Sequence, residues 1–226
     1  REIIKLDGQK TVEDVINLLD EDLKWTEEEN SNFKYYYFKD YIYRKFKSGG
    51  SGFYGWNGLR YFLFEYEEQL MKQRNQPKTS WKYFVKSDKD KVSIEHIYPQ
   101  TAKADCWQIG FENLNDEFKK YYNGSLGNLL PLSSSINSSL QNDCFNDKKL
   151  VKKDDNDNVI RGGYSNGSYS KQEVSVEFQW GPNEIRKRGL KLLSFMETRW
   201  QINLGSVENK MDLLHLLENM HSTDNN

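Results

Sequence analysis

The run Val92-Ser93-Ile94-Glu95-His96-Ile97-Tyr98-Pro99 constrains the fold more than any other stretch of the chain. It is short, rich in β-branched residues and stopped by a proline. It therefore predicts a strand over 91–97 that ends in an irregular turn. Neighbouring side chains on a strand point to opposite faces, so Glu95 and His96 cannot share a direction without local distortion. A strand end allows that distortion, and one residue can then hold a cation while the next takes a proton from water. The chain has three histidines. His215 and His221 lie six residues apart in the polar C-terminal tail, which does not set them on one helical face. His96 is the first candidate for acid–base chemistry near neutral pH.

Around this strand the periodicity is helical. Val12, Val15, Ile16, Leu19 and Leu23 predict an amphipathic helix over 11–23, capped by Thr11. An aromatic-rich helix is expected over 31–46, and Ser48-Gly49-Gly50-Ser51-Gly52 is a loop by composition. Leu59, Phe62, Leu63, Tyr66 and Leu70 form the apolar stripe of a helix over 57–73, which reads as core packing. A short helix follows over 112–122, then a second strand over 126–132. Helices are expected over 134–140 and over 142–152, the latter capped by Asn142. Residues 154–170 read as a polar, mobile loop, and a short helix starts near Ser170. Pro182 opens a long helix over 182–200, and an amphipathic helix covers 207–220. The expected fold class is α+β: a mainly helical domain enclosing a strand–excursion–strand–helix core. We divide it into 1–85 (helical N-terminal part), 86–153 (core) and 154–226 (polar loop and closing helices).

Composition narrows the class. Net charge is −2 and mean hydropathy −0.89 over 226 residues, so no global basic signature points to nucleic acid. Residues 31–90 do lean basic, which reads either as a local phosphate-binding face or as a solvated helix surface. Cys106 and Cys144 do not make a disulfide framework and lack zinc-knuckle spacing, so a reducing cytoplasm is the expectation. No apolar run approaches a membrane span. The chain starts at Arg1 rather than Met, which suggests a fragment with an upstream domain outside it.

Four positions suit the hydrolysis of a phosphodiester: Glu95, His96, Asn128 and Asn137. The reaction needs a base for the attacking water and a cation for the leaving oxygen. His96 can be the base. Glu95 and Asn137 are hard oxygen ligands of the kind Mg²⁺ accepts. The Asn128 carbonyl can accept from the ring N–H and fix its tautomer. Each residue also has a plainer reading. His96 could meet a backbone carbonyl at a strand end, Glu95 could be solvated, Asn128 could hold a turn, and Asn137 or Asn142 could cap a helix. Lys148 and Lys149 interleave with acidic residues, as a salt-bridged face would.

Glu95-His96-Ile97-Tyr98-Pro99, then Gly127-Asn128-Leu129-Leu130-Pro131-Leu132, then Asn137 nine residues after Asn128, resembles the signature of HNH nucleases of the ββα-metal fold. With Phe145, Lys148 and the later Trp180-Gly181-Pro182, it is more similar still to the C-terminal domain of GmrSD-type modification-dependent restriction enzymes, over roughly residues 55–200. The resemblance implies a DNA endonuclease that nicks, with His96 as general base and Asn128 orienting it. It implies one divalent cation, Mg²⁺ or Mn²⁺, on Glu95 and Asn137. It implies DNA contacts from Lys148, with Lys149 and Asn142 beside it. A separate sensor domain of a nucleotide-hydrolysing type commonly precedes such a domain. Where many HNH proteins have zinc-binding cysteines this chain has Ser133 and Ile136, so no structural zinc is expected. Glu95 stands where the family often has Asp. That departure keeps a second reading open: a decayed HNH-like module that binds nucleic acid or regulates.

Overall fold

The computed structural model describes residues 27–48, 50–78 and 92–217. The helix expected over 11–23 lies outside them, as does His221. The architecture is α+β and mostly helical, with two small two-stranded sheets. Strand β1 (Val92–His96) pairs antiparallel with β2 (Leu129–Ser133), with Ile94 opposite Pro131 and His96 opposite Leu129. Pro131 lacks an N–H, and β2 tolerates it because it has a strand on one side only. β2 runs directly into helix α5 (Ser134–Leu140).

Helix α1 (Glu27–Lys47) leads through a 3-10 turn, Gly52–Gly55, into α2 (Leu59–Gln73). The predicted stripe Leu59, Phe62, Leu63, Tyr66 and Leu70 is buried, as its spacing requires. Between β1 and β2 the chain makes two helices, α3 (Asp105–Phe111) and α4 (Asp116–Gly124), where one was expected over 112–122. The reason is a cap: the Asn115 side chain accepts from the Phe118 N–H and starts α4 there.

The second half holds three further corrections. The helix expected over 142–152 is the single turn α6 (Phe145–Lys149), with Cys144 rather than Asn142 at its cap position. Cys106 on α3 is joined to Cys144, 38 residues away, by a disulfide. The excursion is tied here to the segment after α5: the Trp107 Nε1–H donates to the carbonyls of Asn142 and Asp143. Residues 154–170 are not one loose loop. They hold β4 (Val159–Arg161), which pairs with β3 (Lys152–Lys153) just before them, and a 3-10 turn that buries Tyr164 completely. Helix α7 (Tyr169–Ser175) follows, and the buried Glu67 carboxylate on α2 accepts from the Tyr169 and Ser170 N–H groups at 2.7 and 2.9 Å. A carboxylate at a helix start satisfies donors that have no partner within the helix.

Helix α8 (Pro182–Trp200) fits its prediction and buries Ile185, Leu192, Leu193 and Met196. It lies against the 3-10 turn Leu126–Asn128 that leads into β2. The approach is so close that a Cβ on Gly127 would run into the Ile185 carbonyl oxygen. Arg188 reaches across from α8, and its Nη1 donates to the Gly127 and Leu129 carbonyls at 2.7 and 2.8 Å. Helix α9 (Val207–Leu213) ends short of the predicted 220, where His215 takes a left-handed φ of 58°. No helix among the described residues is long and apolar enough to cross a membrane.

Candidate active site

The site is the turn at the end of β1. Asn128 is fully buried and fixes it with four hydrogen bonds. Its Oδ1 accepts from the Tyr98 N–H at 2.7 Å and the Trp180 Nε1–H at 3.2 Å. Its Nδ2 donates to the Tyr98 carbonyl at 2.9 Å and the Asn123 carbonyl at 3.0 Å. An amide has two donor hydrogens and two acceptor lone pairs, so this side chain is saturated. Asn128 was expected to orient the His96 ring. It holds the backbone of the turn instead, because the peptide groups of Tyr98 and Asn123 take three of its bonds and the Trp180 indole takes the fourth.

Glu95 and His96 part company at the strand end. The Glu95 side chain turns inward and is 4% exposed. Its Oε1 accepts from Lys148 Nζ at 2.5 Å and from the Tyr164 hydroxyl at 3.3 Å. Lys148, on α6, is fully buried and also donates to the His96 and Ile97 carbonyls at 3.3 and 3.2 Å. Burial pushes the Glu95 carboxyl up and the Lys148 ammonium down, and their mutual attraction opposes both shifts. Lys148 was expected to meet a phosphate. It cannot, since it is sealed under the turn as the counter-ion of Glu95.

Asn137, near the middle of α5, donates from Nδ2 to Ser93 Oγ at 2.9 Å and to the Ile94 carbonyl at 3.4 Å, tying the helix to β1. Glu95 and Asn137 were expected to hold Mg²⁺ or Mn²⁺. The Glu95 carboxylate is instead paired through Oε1 with the buried Lys148 ammonium, which competes with a cation for that oxygen. Among the described residues no group of three or more His, Cys, Asp or Glu side chains comes together.

His96 is only partly buried. Its ring lies against the ring of Tyr54, with centroids 4.6 Å apart and planes tilted by 38°. No described residue hydrogen-bonds the ring. Burial, with the Lys148 ammonium second, holds its pKa down to about 4. The imidazole is therefore neutral near pH 7, with a lone pair free to accept a proton.

The remaining expected contacts do not form a basic face. Lys149 donates to the Glu177 carbonyl at 2.9 Å, and Asn142 gives its carbonyl to Trp107. On α8, Lys187 pairs with Glu177 at 2.8 Å, the Arg186 guanidinium lies over the Tyr122 ring, and Arg188 is buried. Sequence reasoning missed Tyr54 and Tyr164, and placed Trp180 in the closing helix of the family without giving it a role at the site. Tyr54 stood in a glycine-rich stretch and Tyr164 in a polar one, with no periodicity to mark either. Trp180 carried a usable signal, since an indole N–H that is buried needs an acceptor.

No match was found among curated proteins, nor among solved structures. One protein family matches, described as GmrSD restriction endonucleases, C-terminal domain, and the match runs over residues 37–195. It takes in β1, β2, α5, α6 and most of α8, and with them the turn, its buried amide and the Glu95–Lys148 pair. The chain belongs to the family of GmrSD restriction endonuclease C-terminal domains.

Proposed function

We propose that this domain hydrolyses phosphodiester bonds in DNA as an HNH-type nuclease, with His96 as the general base. Family membership already carries the coarser statement, a restriction nuclease domain that acts on DNA. The observation that supports His96 is its place: a partly exposed imidazole at the end of a strand whose turn is tied by the saturated Asn128 amide. In the reaction a ring nitrogen takes a proton from water. The water oxygen bonds to phosphorus as the ester bond to the leaving oxygen breaks. One such centre cuts one strand at a time, so a single copy nicks. The ββα-metal reading assigns β1, β2 and α5 to the catalytic core within residues 86–153, with 1–85 and 154–226 packed around it. Target sensing and nucleotide control are assigned to a domain outside this chain.

Glu95 enters this proposal as a scaffold residue, and no step is assigned to a divalent cation. The same observation favours a second reading. With its carboxylate committed to Lys148, the centre could bind DNA without cutting it. Supercoiled plasmid, unmodified and base-modified, separates the two when incubated with Mg²⁺, with Mn²⁺ and with a chelator. Open-circular product is expected. Retained DNA binding with no product under any condition would leave the non-cutting reading standing.

A further inference from the structure

We propose that Tyr54 is the positioning residue of the general base: its ring holds the His96 imidazole in place from outside the strand pair. The inference rests on the nuclease reading for its catalytic part and on geometry for the rest. A general base must keep one nitrogen aimed at the water, which needs a partner that restrains the ring. Asn128 has no bonding capacity left for this, and no described residue hydrogen-bonds the imidazole. Among the described residues, the aromatic ring that meets the imidazole is that of Tyr54, 4.6 Å away between centroids.

Tyr54 is itself well fixed although it is 45% exposed. It sits in the 3-10 turn Gly52–Gly55, beside Phe53, which is fully buried and anchors the turn in the core. The Tyr54 N–H donates to the Ser51 carbonyl at 3.0 Å, and the Trp56 N–H to the Phe53 carbonyl at 2.9 Å. Gly52 has a left-handed φ of +48°, and a Cβ there would meet the Phe46 ring and the Gly124 carbonyl oxygen. The glycine-rich loop after α1 therefore lets the turn press close to the end of α4 and set one tyrosine over the histidine. A ring contact restrains the imidazole plane without drawing on its nitrogens, which no described residue hydrogen-bonds and which a base needs for water.

The test pairs Tyr54→Phe with Tyr54→Leu and reads two signals. The first is the His96 ring resonances in a proton–carbon NMR spectrum, assigned by their loss in His96→Gln. Tyr54→Leu removes the ring current and should move them, while Tyr54→Phe should leave them near the wild-type positions. The second is plasmid nicking. Tyr54→Leu should lower kcat roughly 10- to 100-fold, the cost of a misplaced catalytic group, with little change in KM. Tyr54→Phe should stay within about twofold of wild type, because the ring and not the hydroxyl makes the contact. Unmoved His96 resonances in Tyr54→Leu would refute the contact. Moved resonances with unchanged kcat, or a loss confined to KM, would refute the positioning role and leave the nuclease reading intact. A wild type that cuts no DNA removes the catalytic role together with that reading, and is told apart because the NMR shift persists.

Discussion

Replacing Lys148 with methionine should unfold a large part of this domain's stability without any loss of a DNA contact. Lys148 is fully buried: its Nζ meets Glu95 Oε1 at 2.5 Å and two backbone carbonyls at 3.2 and 3.3 Å. Methionine fills much of the same volume and supplies none of these bonds. Glu95, 4% exposed, would be left as a buried carboxylate with only the 3.3 Å tyrosine hydroxyl as a described partner. Removing one member of a buried pair typically costs about 3–5 kcal/mol. A domain's whole margin is about 5–15 kcal/mol. Removing both charges should cost far less, since two apolar side chains of similar volume need no counter-ion. We therefore expect Lys148→Met to lose about 3–5 kcal/mol and Glu95→Leu/Lys148→Met to recover about half of it or more. Urea unfolding followed by tryptophan fluorescence measures both. A Lys148→Met variant within about 1 kcal/mol of wild type, or a double variant whose losses simply add, would refute the buried-pair reasoning. A lysine that served DNA instead would leave stability unchanged and weaken binding in a salt-dependent way.

Three further outcomes follow from the same geometry. Asn128→Ala removes the partner of the Tyr98 N–H, the Trp180 indole N–H and the Asn123 carbonyl, while the Tyr98 carbonyl keeps Asn123 Nδ2, and should cost about 2–4 kcal/mol, seen as a lower urea midpoint at an unchanged slope. Reducing the Cys106–Cys144 bond reopens a loop of 38 residues' separation and should lower stability by up to about 4 kcal/mol, read by unfolding with and without dithiothreitol; an equal midpoint in both would contradict it. His215 is buried against Tyr43, Phe46 and Tyr121, and burial holds its pKa at about 4 against about 6.5 in an unfolded chain. The unfolded state then binds the extra proton between those values, so His215 should lower stability by up to about 1.4 kcal/mol per pH unit as pH drops through that window, His96 adds a like share, and His215→Phe should remove the His215 part of the slope.

What the sequence made legible is what periodicity and local chemistry encode. The stripe on α2, the extent of α8 and the strand ending at His96 follow from spacing, from Pro182 and from the β-branched run. The site residues were legible as a set, yet their division of labour was not. Glu95 reads as a ligand until Lys148, 53 residues away, is seen to cancel it. Asn128 reads as a partner of the nearby histidine until three backbone groups and the Trp180 indole are seen to use all four of its bonds. Tyr54 and Tyr164 gave no sign at all, because a residue in a loop shows its role only when folding brings its partner to it. The disulfide escaped for the same reason: two cysteines far apart in sequence carry no signature of their meeting.

The central claim is that His96 takes the proton from the attacking water. The most direct measurement is the single-turnover rate of plasmid nicking by wild type and by His96→Ala, compared at equal folded fraction and saturating enzyme. Loss of the general base should slow the wild-type rate by roughly 10²–10⁴-fold while DNA binding is retained. Nicking by His96→Ala at the wild-type rate would contradict the account.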